Sequence, residues 1–413
     1  MKLFMAALTA ATLLSPTATD PGHQALPAKD GWANGTTGGS AATAGHVTTV
    51  STRDQLAAAV KGDTPKIVYV SGTIDANTDS SGKALSCQDY AVDGYTLAGY
   101  LKAYDPATWG RTKVPSGPQE SARAASESAQ AARVEIKVGA NTTIVGVGAS
   151  ARLLGGNLIV KSDNVIIRNL TFADAFDCFP QWDPTDGSTG NWNSQFDNVS
   201  LAGATHVWVD HDTFTDAPYP DSKEPTYFAR PFQQHDGQLD ITSAADLVTV
   251  ERNVFTRHDK TMLIGNSDSK TSDAGHLRVT VHHNVFDGVL ERAPRVRFGQ
   301  VHVYDNLYRS DAGFDYSLGV GKQSQIYAQN NNFQFSGVTA AAALHNWGGT
   351  GIHATGSVVN GASVDVVAAF NAANPGSPLG TTVNWTPTLY TDLQPASGLP
   401  SQLPGSTGAG HLG

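Results

Sequence analysis

The chain has 413 residues, 40% apolar and only 15% charged, with 42 glycines and 20 prolines, so it can build a large core with many turns and few long solvated helices. A formal net charge of −10 argues against nonspecific binding to nucleic acid or to an anionic membrane. An acidic ligand is not excluded, because positive charges gathered at one place act locally.

Met1-Lys2, an apolar run from Leu3 to Leu14 and then Ser15-Pro16-Thr17-Ala18 have the layout of a secretory signal peptide over residues 1–18, and predict an extracellular protein. A buried N-terminal helix is the alternative. The run is too short to span a bilayer, and no later stretch qualifies. Residues 19–413 are expected to form one domain. Of the two cysteines, Cys87 and Cys178, export allows a disulfide, while two free buried thiols fit the sequence nearly as well. No CxxC or mixed Cys/His spacing supports a zinc site.

Residues 19–45, rich in Gly, Thr and Ala, read as a loose lead-in. Ser51-Thr52-Arg53-Asp54 opens a short N-terminal capping helix that runs through Val60, with Gly62 beyond its end. The alternation of Lys66-Ile-Val-Tyr-Val70 predicts a strand. Residues 77–117 read as a long loop, and Gln119 to Arg133 as a helix.

From residue 134 a repeat takes over. Six octets share one pattern: Val165-Ile-Ile-Arg-Asn-Leu-Thr-Phe172, Val207-Trp-Val-Asp-His-Asp-Thr-Phe214, Val248-Thr-Val-Glu-Arg-Asn-Val-Phe255, Val279-Thr-Val-His-His-Asn-Val-Phe286, Val301-His-Val-Tyr-Asp-Asn-Leu-Tyr308 and Ile326-Tyr-Ala-Gln-Asn-Asn-Asn-Phe333. Each opens with an apolar strand of period two and closes on an aromatic two residues after a polar position. That position holds Asp212, Asn253, Asn284, Asn306 and Asn331, whereas the first octet has Leu170 there and Asn169 one place earlier. A unit that cannot bury its own face has to stack on its neighbours, which predicts a solenoid: an all-β, parallel β-helix. Its core is expected over 134–335, with the aromatics in one internal ladder and the asparagines in another. An antiparallel sandwich gives no reason for such position-specific stacks. Residues 336–413, rich in Ala, Gly and Pro, are expected to run back over the coils and cap the open end.

The same register sorts the charges. Asp197 lies ten residues before Val207, Asp240 eight before Val248 and Arg292 nine before Val301, so three charged groups from different coils share roughly one angular position. Asp236, Gln238 and Asp240 alternate with Gly237, Leu239 and Ile241, which turns both carboxylates outward. A lone surface carboxylate is ordinarily just solvated. Three converging aspartates repel one another, and a hard cation such as Ca²⁺, which takes oxygen ligands in irregular geometry, accounts for them better. Lys260, Arg292 and Arg297 fall beside them, with Arg295 and Arg297 alternating onto one face after Pro294 breaks the strand. This bipolar cleft fits a polyanionic chain with metal-bridged carboxylates; a structural salt-bridge network is the plainer reading. His282 and His283, adjacent on a strand, point to opposite faces and cannot chelate one ion together. Gly146-Val-Gly148 is a turn and too weak for a nucleotide loop. His211 and His258 are placed to touch the site, though a satisfied packing role is the plainer reading, and Trp182, Trp192 and Trp208 serve either sugar stacking or the core.

Asn191-Trp-Asn-Ser-Gln-Phe-Asp197, Val207-Trp-Val-Asp-His211, His235-Asp-Gly-Gln-Leu-Asp240, His258-Asp-Lys260 with Leu263-Ile-Gly265, and Arg292-Ala-Pro-Arg-Val-Arg-Phe-Gly-Gln-Val-His-Val-Tyr304 together resemble the family-one pectate lyases of the bacterial extracellular type, over roughly residues 135–335. The resemblance implies a right-handed parallel β-helix that cleaves α-1,4-linked polygalacturonate (de-esterified pectin) by calcium-dependent β-elimination. It implies Asp197, Asp236 and Asp240 as Ca²⁺ ligands, Arg292 as the base that takes the C5 proton, and Lys260 and Arg297 as holders of the substrate carboxylate. The protein is expected to act as a monomer. Some members carry a further aspartate two residues before the first calcium ligand; Gln195 stands there, so the site is expected to hold Ca²⁺ weakly until substrate arrives. An arginine base stays protonated in ordinary settings and needs neighbouring positive charge to lower its pKa, which predicts an alkaline optimum. Rival readings are a pectin lyase, a β-helical glycoside hydrolase working with two carboxylates, and a noncatalytic carbohydrate-binding solenoid.

Overall fold

The fold was analysed in a computed structural model that describes residues 20–391 and 393–412; the expected signal peptide lies outside the described residues. Each octet begins as a strand of one ten-stranded parallel sheet, the broad sheet, and Val165, Val207, Val248, Val279, Val301 and Ile326 are direct partners across it. After a one-residue left-handed corner the chain enters a second ten-stranded sheet of mostly three-residue strands, the narrow sheet, where Phe172, Phe214, Phe255, Phe286, Tyr308 and Phe333 lie in register. A third sheet of eight strands closes each coil and carries the charged residues: it is the site sheet. The all-β, parallel β-helix expected from the repeat is the observed architecture.

The octet explains its own corner. Its fifth residue, Asn169, His211, Arg252, His283, Asp305 or Asn330, has a φ between 51° and 58° in every coil. The sixth then points inward. Asn284 Oδ1 accepts from the Asn253 backbone N–H at 2.9 Å, Asn306 Oδ1 from Asn284 N–H at 2.9 Å, and Asn331 Oδ1 from Asn306 N–H at 3.0 Å. Each Nδ2 donates to a carbonyl of the preceding coil, as Asn284 does to Val250 at 3.0 Å. Asp212 extends the row, accepting from the Leu170 N–H and receiving Asn253 Oδ1 at its own N–H. A buried corner thus keeps its backbone polar groups satisfied without water. Beside it the aromatic rings stack with centroids 4.7–5.2 Å apart.

The coils run past both bounds of 134–335. Val47–Val50 and Lys66–Val70 already belong to the broad sheet, and Leu344–Trp347, Ile352–Thr355 and Val358–Val359 add a last coil. These outer strands lack the octet pattern. One continuous apolar cluster links Val50 to Leu379. The helix Arg53–Ala59 takes Thr52 as its N-cap, and its Leu56 enters that cluster; Val366–Ala373 covers the other end with Phe370.

Residues 20–46 differ from the loose lead-in expected. They form a strap across the outer face of the broad sheet, where Thr143, Thr249 and Thr280 offer hydroxyl oxygens to the backbone N–H groups of Gly39, Ala33 and Trp32. Gly31 has φ +88°, and a Cβ there would press into Thr249 Oγ1. The segment from Pro395 to Gly410 returns along the narrow sheet, burying Leu399 and Leu403 against Val285 and Leu307.

Residues 77–117 also differ. They hold three short helices, Cys87–Tyr90, Leu97–Ala103 and Pro106–Trp109, preceded by Ser86, Thr96 and Asp105 as N-caps. With Pro118–Val134 they enclose a second apolar cluster that contains Tyr100, Phe179, Trp182 and Trp192. Trp182 and Trp192 are therefore core residues. Cys87 and Cys178 form a disulfide that ties this unit to the coil. These helices are too short for a periodic signal in sequence, and tertiary packing holds them.

The ladder predicts two opposite outcomes. Asn284→Ala strips buried backbone groups of their partners, at roughly 1–3 kcal/mol each, and is expected to lower stability by about 3 kcal/mol in urea unfolding. The Tyr308 hydroxyl is buried without a hydrogen-bond partner, so Tyr308→Phe keeps the ring stack and should leave stability unchanged or raise it by about 1 kcal/mol.

Candidate active site

The site lies where the long loops after the narrow sheet re-enter the site sheet. Asp240 on the strand Leu239–Thr242 pairs directly with Ser200. Ile241 pairs with Ile264 and Leu263 with Arg295, so Asp240, Ser200, Leu263 and Arg295 share one level. Three residues back along each coil stand Asp197, Gly237, Lys260 and Arg292, a second and less regular row at the loop mouths in which Lys260 pairs with Glu291 rather than with Arg292. Spacing along the chain predicts one angular position for Asp197, Asp240 and Arg292; the structure brings them together but divides them between these two rows.

The second row is where the chemistry concentrates. Asp197 Oδ2 accepts from Ser200 Oγ at 2.6 Å, and its Oδ1 from the Gly237 N–H at 2.9 Å. Asp240 Oδ1 accepts from the Leu263 N–H at 3.0 Å. Gly237 sits between them: a Cβ there would fall 2.5 Å from Asp240 Oδ1 and 2.8 Å from Asp197 Oδ1. Glycine leaves that space open, and two carboxylates face into it.

Asp236 turns towards Lys260, whose Nζ donates to Asp236 Oδ1 at 3.2 Å. The three aspartates do not all approach within 4.8 Å of one another. Gln238, expected to face outward with them, is instead fully buried and donates to the Thr256 carbonyl, because strand alternation starts only at Leu239. Arg292 has φ +59° just before the strand Arg295–Val296, and its Nε donates to Glu291 Oε1 at 3.0 Å. Arg297, two residues beyond Arg295, pairs with Asp268 at 2.7 Å and also donates to the Gly265 carbonyl. Arg295 stacks on Trp347 at 4.1 Å.

The electrostatics follow from this crowding. Burial first, then Asp240 and Asp236, holds the Asp197 carboxyl well above its usual range. Burial and Asp236 push Asp240 up to about 7, against the opposing pull of Leu263 N–H, Arg292 and Lys260. Burial lowers Arg292, but Glu291, Asp240 and Asp236 outweigh it and leave the guanidinium above its ordinary value. A pair of carboxylates raised by burial and by neighbouring aspartates around a gap fits a hard, oxygen-seeking divalent cation.

Three further residues support the site. Glu291 holds Arg292, Gly237 opens the gap, and His258 is the buried, satisfied residue expected from sequence and also braces the site. Its Nδ1 bonds Asp216 and its Nε2 donates to the Asp236 carbonyl at 2.7 Å, which fixes the backbone of the site. A groove of about 920 Å³, lined by Asp216, Asp221, Lys223, His258, Asp259 and Asp311 among others, opens alongside.

Fold and site together define a parallel β-helix with a bipolar cleft on one sheet, a shape suited to an acidic polymer. A protein-family model described as pectate lyase matches residues 1–94 and 116–380. A pectate lyase of Bacillus subtilis (strain 168) is 49% identical over 407 residues, covering 96% of this chain and 95% of that protein. Pectate lyase E of Dickeya chrysanthemi is 35% identical over 388 residues, covering 88% of this chain and 85% of that one. Among solved structures, a pectate lyase bound to hexasaccharide superposes with a TM-score of 0.92 at 48% identity, covering 95% of this chain and all of that one. The pectate lyase of Acidovorax avenae subsp citrulli does so with 0.88 at 31%, covering 98% and 99%. The chain belongs to the pectate lyase family and is a polysaccharide lyase.

Ligand carboxylates must lose their protons before a cation binds. With Asp240 at about 7, affinity rises as pH climbs through that value and levels off above it. Calorimetric calcium titrations are expected to give about tenfold weaker binding or more at pH 6 than at pH 8, with protons displaced from Asp240 and from Asp197. Gly237→Ala fills the gap and should weaken binding at both values while the circular dichroism spectrum stays unchanged.

Proposed function

We propose that this protein is a secreted, calcium-dependent pectate lyase that cleaves polygalacturonate by β-elimination at the cluster formed by Asp197, Asp240, Lys260 and Arg292. The observation that carries the reading is the gap over Gly237, faced by two carboxylates whose pKa values are raised and flanked by two cations in successive coils. Asp197, Asp236 and Asp240 would hold Ca²⁺. When bound there, the ion supplies Lewis-acid stabilisation to the carboxylate of the sugar.

The chain's own residues then divide the work. Lys260 and Arg297 orient the substrate carboxylates; both already engage acidic groups, Asp236 and Asp268, whose places a substrate carboxylate can take. Arg292 accepts the proton from C5. The electrons of that C–H bond form the C4–C5 double bond as the C4–O bond breaks with its pair on oxygen, and the leaving oxygen takes a proton from water to become the reducing-end hydroxyl of the departing chain. Lys260 stabilises the negative charge that builds on the carboxylate in between. An arginine base requires positive charge to outweigh Glu291, Asp240 and Asp236, which favour its protonated form. Loading the carboxylates with a cation reverses their effect, and rising pH completes the deprotonation, which supports an alkaline optimum.

The disulfide Cys87–Cys178 supports export, since such bonds persist in oxidising compartments. No helix among the described residues is long and apolar enough to cross a membrane. All the proposed site residues come from one chain, so a monomer suffices.

Digestion of polygalacturonate is expected to raise the ultraviolet absorbance of an unsaturated product, to stop on chelation and to resume with added calcium. Chain shortening without that absorbance would identify a hydrolase instead. Arg292→Lys is expected to lower kcat by roughly 10²–10⁴-fold, the range of a lost general base, with calcium binding retained in calorimetry.

A further inference from the structure

A second constellation lies on the broad sheet, away from the cleft and unused by the lyase reaction. The last residue of each octet's strand faces outward, and in register these are Arg168, Asp210, Glu251, His282, Tyr304 and Gln329. Arg168 and Asp210 satisfy each other at 2.7 Å. Glu251 and His282, the next pair, do not. The strap of residues 20–46 brings Asp30 over them, held by Thr249 Oγ1, which donates to the Asp30 carbonyl at 3.2 Å, and by the following Gly31, whose N–H meets the Leu389 carbonyl.

Asp30, Glu251 and His282 place one ligand atom each within 4.8 Å of the others. His282 Nε2 is 3.4 Å from Asp30 Oδ1 and 3.7 Å from Glu251 Oε2, too far for hydrogen bonds. The residue is 2% exposed, and Nε2 has no hydrogen-bond partner. The Tyr304 hydroxyl, on the next residue of the row and with its ring stacked on His282 at 4.7 Å, is likewise unpartnered. Buried polar atoms left unpaired are costly, so two of them at one point call for an occupant. Around a four-coordinate ion with bonds of roughly 2.0–2.2 Å, neighbouring donors stand about 3.2–3.6 Å apart, close to the spacing found here.

We propose that Asp30, Glu251 and His282 form a structural site for a first-row divalent cation of the zinc type, which clasps the N-terminal strap to the coil. One imidazole nitrogen with two carboxylate oxygens excludes a preference for Ca²⁺ or Mg²⁺ and suits Zn²⁺. The outer ring of contacts fits a ligand set. Trp208 Nε1 donates to Glu251 Oε1 at 2.8 Å, leaving Oε2 for the ion. His282 Nδ1 lies 2.8 Å from His283 Nδ1, whose Nε2 is directed at Asp305 3.7 Å away; this chain orients the ring as second partners of metal-bound histidines do. His282 and His283 therefore touch, rather than pointing to opposite faces, because His283 leaves the strand with φ +53°. Burial, with His283 and Arg252 beside it, keeps the His282 imidazole uncharged. Burial raises both carboxyls, Glu251 well above its usual range, and Arg252, whose Nε is 3.4 Å from Glu251 Oε2, opposes that only in part. A divalent ion neutralises both.

The test uses untagged full-length protein with calcium in excess, so that the aspartates of the cleft are not free. Zinc chloride is added, unbound metal is removed by gel filtration, and retained zinc is counted by elemental analysis. One equivalent is expected in the wild type, with cobalt giving a visible absorption band for a nitrogen–oxygen site. His282→Gln and Asp30→Asn are each expected to weaken zinc binding about tenfold or more and to abolish the zinc-dependent rise in Tm, with lyase activity unchanged. Asp30 sits on the outer strap, so Asp30→Asn decides the matter if His282→Gln does not fold. Wild-type protein that retains only trace zinc, or an Asp30→Asn variant that binds as tightly as wild type, overturns the proposal. None of these readouts depends on the lyase reaction.

Discussion

Coils in this molecule keep their height relative to one another because a buried amide in each accepts from the backbone of its neighbour. Asn253, Asn284, Asn306 and Asn331 hand one hydrogen bond along the axis, and the strands of these coils are aligned with it. A slip of one residue would leave each corner N–H without an acceptor and turn every apolar side chain out of the core. The aromatic stack alone is less selective, since rings slide over one another at little cost.

Register of this kind is what lets an acidic protein assemble a bipolar site. Asp197, Gly237, Lys260 and Arg292 come from four successive coils, and none of them is adjacent in the chain to another. The site sheet spaces its strands closely, so charges on neighbouring coils interact through a partly dry medium, where an isolated pair of carboxylates is unfavourable. Raised Asp197 and Asp240 pKa values are the sign of that tension. A site that is strained when empty gains most from a cation, and the open gap over Gly237 is where one fits.

The broad sheet applies the same rule to its outer face. There Arg168, Asp210, Glu251 and His282 are buried beneath a strap from the N-terminal end. The strap read as a loose lead-in because glycine, threonine and alanine carry no period. Its order comes from the hydroxyls of Thr143, Thr249 and Thr280, which lie far along the chain and become its hydrogen-bond partners only after the coils have stacked.

By itself the sequence determined the coil, since the octet states which residues point inward, where the corner falls and which side chains stack. Through its motifs it also marked Asp197, Asp236, Asp240, Lys260 and Arg292 as one group. Tertiary structure alone decided that Gln238 is buried, that Gly237 opens the gap, that Glu291 and His258 brace the site, that Trp182 and Trp192 serve the core, and that Cys87 meets Cys178. The division has one physical cause. Periodic positions obey local geometry, which a sequence repeats and therefore displays, whereas loops and straps are held by single contacts between distant residues, which no period records.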